Sequence, residues 1–282
     1  MKINSISAKA ADCPDRLRSI PDSPGQIYVL GHMPDYRVGV AIVGTRKPTA
    51  YGRQVTSAIA EQLAERGAVV VSGLAYGVDA IAHEAVVKAG GRGIAVLAGG
   101  VDKIYPSGHH DLAARLLDTG GAVLSDQPPG TPHMQHLFLA RNRLVSGLSD
   151  AIVVTEAGLR SGTMNTVRHA LEQGRDVYAV PGPITSPMSA GTNALIGQGA
   201  TPITDIELFV NDLLPKSSPK QAALLAQTEH EQVVIDLLQA GVSDGDELSA
   251  NSKLATAEFM TAMTMLEIRG VIRPLGGNHW GL

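Results

Sequence analysis

The sequence is short of cysteine and of long apolar runs. Among its 282 residues Cys13 is the single cysteine, so no disulfide can form within the chain. This fits a reducing compartment, and we expect a cytoplasmic protein. The strongest apolar run, residues 38–43, has only the length of a strand. A membrane-spanning helix needs about 20 apolar residues and is therefore not expected, so no membrane partner is predicted. The first residues carry Asp12 and Asp15 without an apolar core, which argues against a secretory signal.

Positive charge is not in excess either. Lysine and arginine total 23 against 27 aspartates and glutamates, which gives a formal net charge of -4. A broadly basic surface is excluded, so any role with nucleic acid must depend on a local patch. Aromatic residues are also few, at 4% of the chain.

What the sequence does contain, from residue 38 onward, is an alternation of apolar strands and helices. The predicted strands are residues 38–43, 68–72, 93–98, 122–125, 151–155 and 177–180, and the predicted helices are residues 51–66, 78–88, 111–117, 137–147 and 163–173. Strands that are apolar on both faces and alternate with helices are typical of a parallel sheet covered on both sides. We therefore predict an α/β fold with a Rossmann-like, doubly wound, mainly parallel sheet. The units are too few for an eight-unit barrel.

The pattern also predicts a domain organisation. Residues 1–36 lack clear periodicity and are expected to form an N-terminal arm, and residues 37–213 form the Rossmann-like domain. Residues 214–228 are expected to be a linker, which contains Lys, Ser and Pro. Residues 229–282 are expected to form a small winged-helix-like domain. Its predicted elements are helices at 231–238, 246–249 and 257–268 and a hairpin over 271–280, with Phe259, Met263, Leu266 and Ile268 facing inward.

Three turns at the predicted strand ends have the composition of anion sites. In doubly wound sheets ligands bind at the carboxyl ends of the strands. Glycines permit close backbone approach there, hydroxyls donate, and helix N-termini favour anions. The pattern is not the GxGxxG dinucleotide fingerprint, so we predict a phosphate site and no nucleotide cofactor. The turns are Gly44-Thr45-Arg46, residues 72–79, and Arg160-Ser161-Gly162-Thr163.

The helix at 137–147 begins with an aromatic ring, two arginines and an asparagine: Phe138, Arg141, Asn142 and Arg143. Arginine resists burial without a partner. Phosphate is one such partner, because the guanidinium fork matches its geometry. A carboxylate elsewhere in the fold is the other. Five arginines between residues 133 and 175 outnumber the three acidic residues there, so we expect a locally basic edge.

Histidines and acidic residues in the same region have a second interpretation. Asp79 and His83 lie four residues apart on one helix face, as a metal pair or an acid–base couple requires. A capping aspartate and a hydrogen-bonded core histidine also explain the spacing and are preferred. The pair His109-His110 is interpreted as part of a surface loop. No metal site is predicted.

Taken together, these segments resemble the DNA processing protein A family, also called DprA or Smf. The resemblance runs from about residue 40 to residue 210. It rests on VGTRKPTAYG (43–52), SGLAYGVDAIAH (72–83), Tyr105-Pro106, PPGTP (128–132), FLARNR (138–143), EAGLRSGT (156–163), Val180-Pro181-Gly182 and Gly191-Thr192-Asn193.

The resemblance implies a Rossmann-like domain that binds single-stranded DNA and brings the RecA recombinase onto it during natural transformation. It implies a homodimer, since family members are commonly dimers, and no catalytic residues. The family's Gly-Ser/Thr-Arg turn, which contacts DNA, matches Gly44-Thr45-Arg46. Phe138 matches an aromatic that stacks on a base, and Arg141 and Arg143 would neutralise phosphates or brace the pocket. The C-terminal module resembles the winged helix that many members carry.

The chain departs from the family pattern in three places. Many members begin with a helical domain for which residues 1–36 are too short. Met134-Gln135-His136 stands where basic residues often precede the aromatic, and Leu139 replaces the usual proline after it. These changes predict weaker DNA binding unless other arginines compensate.

Two other functions fit parts of the sequence. Glu156 with Gly162-Thr163 distantly resembles nucleotide phosphoribohydrolases, but the Pro-Gly-Gly of their turn is missing. A sequence-specific regulator acting through the winged helix is the second alternative. Its expected recognition segment, residues 256–267, carries Glu258 and Glu267 and no arginine. Duplex binding needs basic residues, so packing or protein interaction is the preferred role for that segment.

Overall fold

The computed structural model describes residues 3–7, 13–215, 226–276 and 278–281. The chain divides into two compact units, Met1–Leu214 and Pro215–Leu282, and each is described by itself. Of the linker expected at 214–228, residues 216–225 lie outside the described residues.

A nine-stranded sheet forms the centre of the first unit. Its strand order is β1-β2-β6-β5-β4-β3-β7-β8-β9. The strands from β3 to β9 pair in parallel, whereas β2 is antiparallel to both β1 and β6. This confirms the predicted doubly wound, mainly parallel sheet. The strands are β1 (Ile3–Ser7), β2 (Gln26–Gly31), β3 (Gly39–Val43), β4 (Val69–Ser72), β5 (Gly93–Val96), β6 (Ala122–Ser125), β7 (Ala151–Val154), β8 (Asp176–Ala179) and β9 (Thr201–Pro202).

Helices cover both faces of this sheet, which explains why its central strands are apolar throughout. Ala41 and Val43 of β3 pack in a cluster with Leu144 of helix α5, whereas Ile42 packs on the other face with Leu63 of helix α2. In the part of the chain that the structure describes, no helix is long and apolar enough to cross a membrane. The helices are α1 (Asp15–Arg18), α2 (Ala50–Glu65), α3 (Val78–Lys88), α4 (His110–Asp118), α5 (Gln135–Gly147), α6 (Thr163–Glu172), α7 (Ala190–Gly197) and α8 (Ile206–Leu213).

Residues 3–7 and 13–36 pack within the first unit, where the sequence led us to expect a separate N-terminal arm over residues 1–36. β1 and β2 extend the sheet beyond β6, and the connection between them buries Leu17 and Ile20 in the core. In β2 buried Ile27 and Val29 alternate with more exposed residues, as in a strand with one face on the core. The prolines that obscured this pattern lie between the two strands, at positions 14, 21 and 24.

The strand order places a ligand crevice at the carboxyl ends of β3 and β7. From β3 the chain builds outward through β4, β5 and β6, then returns to the other side of β3 with β7. Doubly wound sheets bind ligands where the direction of winding reverses in this way. Val43 and Val154, the last residues of β3 and β7, are register partners. The turns that follow these two strands therefore lie side by side.

Over residues 226–276 and 278–281, the second unit consists of three helices followed by a hairpin. They are α9 (Glu229–Gln239), α10 (Gly245–Ser252), α11 (Thr256–Ile268), β10 (Arg273–Gly276) and β11 (His279–Gly281). Phe259, Met263 and Leu266 are buried as predicted, but Ile268 is 74% exposed and that prediction was wrong. Ile268 follows Leu266 by two residues, which turns it away from the buried helix face. Gly277 of the predicted hairpin lies outside the described residues.

Candidate nucleic-acid interface

A cleft of about 240 Å³ opens at the switch point between β3 and β7. Pockets that enclose a whole small molecule measure about 300–1,000 Å³, so this cleft suits one group of a larger ligand. Arg143 and Arg160 do not line it. The other nine of the eleven binding residues predicted from the sequence do: Gly44, Thr45, Arg46, Phe138, Arg141, Asn142, Ser161, Gly162 and Thr163.

The turn after β3 is held between the end of β7 and the start of α3. The Thr45 backbone N–H donates to the Glu156 carbonyl at 2.7 Å, and Val78 N–H donates to the Thr45 carbonyl at 3.2 Å. A Cβ at Gly44 would come within 2.7 Å of both Glu156 O and Val78 Cγ2, so only glycine fits. The backbone of the turn is fixed while the Arg46 side chain is exposed.

Arg46 and Phe138 meet at the mouth of the cleft. The Arg46 guanidinium carbon lies 5.8 Å from the centroid of the Phe138 ring, within the range of a cation–π contact. Phe138 is half-buried in the first turns of α5. The cleft therefore combines an exposed cation, which suits a phosphate, with an accessible ring, which suits a base.

Arg141 and Asp79 form a buried layer beneath the cleft. The Arg141 guanidinium donates to the Val96 carbonyl, and it lies so close to Gly73 that a Cβ there would overlap it. Burial raises the pKa of Asp79, and the nearby Arg141 charge and two backbone N–H groups oppose that shift. Burial likewise lowers the pKa of Arg141, and Asp79 opposes it. Each charge thus compensates part of the other's desolvation.

Asp79 also changes the role of the turn after β4. One of its carboxylate oxygens accepts from the N–H of Gly73 at 3.1 Å and from that of Ala75 at 3.3 Å. We expected such amides to face an external anion. They bind an internal carboxylate instead, which corrects that prediction. The interpretation of Asp79 as a capping aspartate is corrected as well: Asp79 lies in the first turn of α3, whose N-cap is Gly77 with no side-chain cap bond, and it holds the preceding turn.

Arg143 is held by carboxylates and does not face the cleft. Its guanidinium contacts Asp22 and Asp126, each at 2.8 Å, and its side chain is only 10% exposed. A guanidinium in two ion pairs has little capacity left for phosphate. The predicted DNA contact of Arg143 is therefore corrected in favour of the alternative, in which Arg143 braces the pocket. Asp22 lies between β1 and β2, in the segment that we had expected to be an arm.

The positive charge of the cleft is smaller than the arginine count suggested. Its charged lining residues are Arg46, Asp79 and Arg141. Of the five arginines between residues 133 and 175, only Arg141 lines the cleft. Arg160 is exposed outside the lining, Arg168 pairs with Glu172, and Arg175 donates to the Gly147 carbonyl. A binding role for Arg160 stays a prediction.

In the turn before α6, the groups available to a ligand are hydroxyls more than backbone amides. The N–H of Thr163 donates to Ser161 Oγ at 3.2 Å, and the N–H of Met164 donates to the Ser161 carbonyl at 3.1 Å. These amides, predicted to face an anion, are used inside the turn. The Ser161 and Thr163 hydroxyls, 2.9 Å apart, line the cleft with Asn142, whose side-chain nitrogen lies 3.2 Å from the Asn165 amide.

Glu156 stabilises the start of α2. Its two carboxylate oxygens accept from the Thr49 N–H at 2.8 Å and from the Thr49 hydroxyl at 2.6 Å. Thr49 is the N-cap residue of α2, and a Cβ at Gly52 would overlap the carboxylate. The acidic residue on which the phosphoribohydrolase alternative depended therefore has a structural role.

His83 is a core residue, as the preferred interpretation had it. It is completely buried, and burial lowers its pKa to about 4, so the ring is neutral at pH 7. Within the described ranges, no group of three or more His, Cys, Asp or Glu side chains is placed to hold a metal ion.

Two aromatic residues beside Phe138, Tyr105 and His133, were not assigned to the site from the sequence, although Tyr105 belongs to a segment that carries the family resemblance. The ring centroids of Tyr105 and Phe138 are 5.6 Å apart, and His133 stacks on Tyr105 with centroids at 5.0 Å. Tyr105 lies 33 positions before Phe138 in the chain, so no local pattern predicts the contact.

The comparison with known proteins agrees with this geometry. The family model described as DNA recombination-mediator protein A matches residues 4–214, and the model of the DprA winged helix domain matches residues 218–278. Protein Smf of Escherichia coli is 36% identical, over 97% of this chain and 76% of that protein. The putative DNA processing protein DprA of Mycobacterium tuberculosis is 42% identical, over 91% of this chain and 68% of that protein.

Two solved structures show the same fold. One is DNA processing protein A from Helicobacter pylori, described for its single-stranded DNA binding mode, with 34% identity and a TM-score of 0.68. It matches 76% of this chain and 96% of that one. DprA from Streptococcus pneumoniae has 35% identity and a TM-score of 0.68 over 76% of this chain and 75% of that one. The chain therefore belongs to the DNA recombination-mediator protein A family, known as DprA or Smf.

Proposed function

We propose that this protein binds single-stranded DNA at the switch-point cleft and acts as a recombination mediator. The observation that carries the proposal is the contact between Arg46 and Phe138. It places a side chain that can bind phosphate beside a ring on which a base can stack. Neither base stacking on an aromatic ring nor a contact to phosphate depends strongly on the base sequence of the DNA. Single strands are favoured over duplex, since a paired base cannot lay its face on Phe138.

The roles of the lining residues follow from their positions. Arg46 binds a phosphate and Phe138 stacks on a base. Gly44 and Thr45 allow close approach of the strand, and Asn142, Ser161, Gly162 and Thr163 complete the wall with polar groups. Arg141 contributes charge from below the surface, and exposed Arg160 extends the path of the strand beyond the cleft. The relative from Helicobacter pylori, named for its single-stranded DNA binding, supports this assignment.

The proposal includes a partner and an assembly. The family's name as recombination mediators supports delivery of the bound strand to the RecA recombinase. We infer a homodimer from the family resemblance, and a cytoplasmic location from the expected partners. No catalytic step is assigned to the cleft, because Glu156 is engaged by Thr49.

Gel-shift titration of a single-stranded oligonucleotide and its duplex tests the proposal. The full chain is expected to bind the single strand more tightly, without strong sequence preference, and less tightly as salt rises. Equal or stronger binding of the duplex would contradict it. A chain lacking residues 216–282 should retain its single-strand affinity. Collapse of duplex affinity alone in that truncated chain would instead favour the winged-helix regulator.

A further inference from the structure

The loops after β5 and β6 carry aromatic rings that continue the surface of Phe138. Tyr105 is 48% exposed, and its ring is tilted by 59° to that of Phe138, with the centroids 5.6 Å apart. The His133 ring stacks on Tyr105 at an interplanar angle of 26°. Tyr105 and His133 do not line the cleft itself. The rings therefore form a platform beside it, on the side of β5.

The platform is held in place by hydrogen bonds between the two loops. The Gly100 N–H donates to the Thr131 carbonyl at 3.0 Å, and the Gly130 N–H donates to Asp102 Oδ1 at 2.8 Å. His133 Nε2 lies 2.8 Å from the Lys103 carbonyl, which can only accept, so this nitrogen carries the proton. A ring fixed in this way loses little freedom when a ligand binds.

We propose that Tyr105, backed by His133, is a second base-stacking position that receives the nucleotide next to the one on Phe138. This inference rests on the proposed binding of single-stranded DNA. Stacked bases of a duplex rise about 3.4 Å per nucleotide, whereas the two ring centroids are 5.6 Å apart. Because the two rings are tilted by 59° to each other, bases stacked on them would not be parallel, unlike the stacked bases of a duplex. Because any base has a π-face, the second position adds affinity without sequence preference.

The test measures binding of two labelled oligonucleotides of equal length, oligo-dT and a strand of abasic residues, by fluorescence anisotropy. Tyr105→Leu should weaken oligo-dT binding about five-fold or more, since one stacked base contributes about 1–3 kcal/mol. It should leave binding of the abasic strand unchanged, because phosphate contacts remain. Tyr105→Phe should bind oligo-dT like the unmodified chain. His133→Leu, which removes the backing ring, should weaken oligo-dT binding in the same direction.

Tyr51→Leu is the matched control. Tyr51 is 44% exposed, and its hydroxyl donates to the Pro181 carbonyl in the turn after β8, on the far side of the sheet centre from β5. This variant should bind both strands like the unmodified chain. If Tyr105→Leu does not fold, the comparison between His133→Leu and Tyr51→Leu decides the question.

The outcomes separate this inference from the proposed function. If Phe138→Ala weakens oligo-dT binding while Tyr105→Leu and His133→Leu do not, the second position is wrong and the cleft assignment stands. If Tyr105→Leu weakens binding of both strands equally, the proposed stacking of a base on Tyr105 is also wrong. If the unmodified chain binds neither strand, the proposed function fails and the inference fails with it.

Discussion

Burial decides what each arginine of the site can do. Arg46 is exposed at the mouth of the cleft, whereas Arg141 is only 5% exposed below it and Arg143 is paired with two carboxylates. In the sequence, all three arginines stand in segments that we expected to bind phosphate. Only the fold separates the one that can meet a ligand directly from the two that position the wall.

Substitution of Arg46 and of Phe138 should weaken DNA binding in different ways. Arg46→Ala removes one phosphate contact, so the slope of log affinity against log salt should fall by about 0.7, the value per contact for single strands. Phe138→Ala removes stacking, which costs about 1–3 kcal/mol, and should leave that slope unchanged. Anisotropy titrations at four salt concentrations measure both quantities. If neither variant changes affinity, the site assignment is wrong.

At the scale of elements, the sequence predicted the strands and helices whose buried residues recur in a regular pattern. The central strands are apolar because helices cover both faces, and each helix from α2 to α6 was located within two residues of its ends at most. β1 and β2 were missed because they are not apolar throughout, which gives a weaker pattern, and because the connection between them contains three prolines. The three turns predicted to bind anions do follow the ends of β3, β4 and β7, but several of their amides bind Asp79 or their own turn. Such pairings depend on contacts that are distant in sequence.

The start of α2 provides a test at this scale. Thr49→Val removes the N-cap hydroxyl, which accepts from the Gly52 N–H at 3.2 Å and donates to Glu156. Loss of a cap costs about 0.5–2 kcal/mol, and the buried carboxylate also loses a donor. Urea unfolding should show a lower free energy of unfolding for Thr49→Val, and Thr49→Ser should be close to the unmodified chain. Equal stability of the Val variant would contradict the structural role of Glu156.

At the scale of the whole molecule, the two units differ in whether an arginine is left exposed or is paired with a carboxylate of the same unit. The first unit presents Arg46 at a cleft, whereas the winged-helix unit pairs Arg269 with buried Glu231 at 2.6 Å. Helix α11 carries Glu258 and Glu267, and it exposes Met260 and Met265. Arg269, the first arginine after the expected recognition segment, is thus engaged within its own unit. We therefore propose that the first unit binds the DNA.

The Glu231–Arg269 pair predicts how the second unit responds to acid. Burial raises the pKa of Glu231, but the Gln227 N–H and the Arg269 guanidinium lower it more, so the net shift is downward. A lowered folded-state pKa contributes stability above the unfolded value, near pH 4.3, that is lost as pH falls through the folded value. Glu231→Gln should lower the free energy of unfolding at pH 7 by about 1–3 kcal/mol and remove this part of the pH dependence.

Trp280, the single tryptophan of the chain, reports on that experiment because it packs against the core of the winged-helix unit. Thermal unfolding followed by its fluorescence between pH 7 and pH 3 gives the required curves. A Gln variant whose stability falls with acid as steeply as that of the unmodified chain would show that Glu231 is not the responsible group.

Photocrosslinking shows directly whether single-stranded DNA lies across the switch-point cleft. A single-stranded oligonucleotide containing iodouracil is irradiated with the full chain, and the modified tryptic peptides are identified by mass spectrometry. We expect crosslinks in the peptide of residues 116–141, which contains Phe138, and in that of residues 104–115, which contains Tyr105. Crosslinks confined to residues 226–281, with neither of these peptides modified, would contradict it.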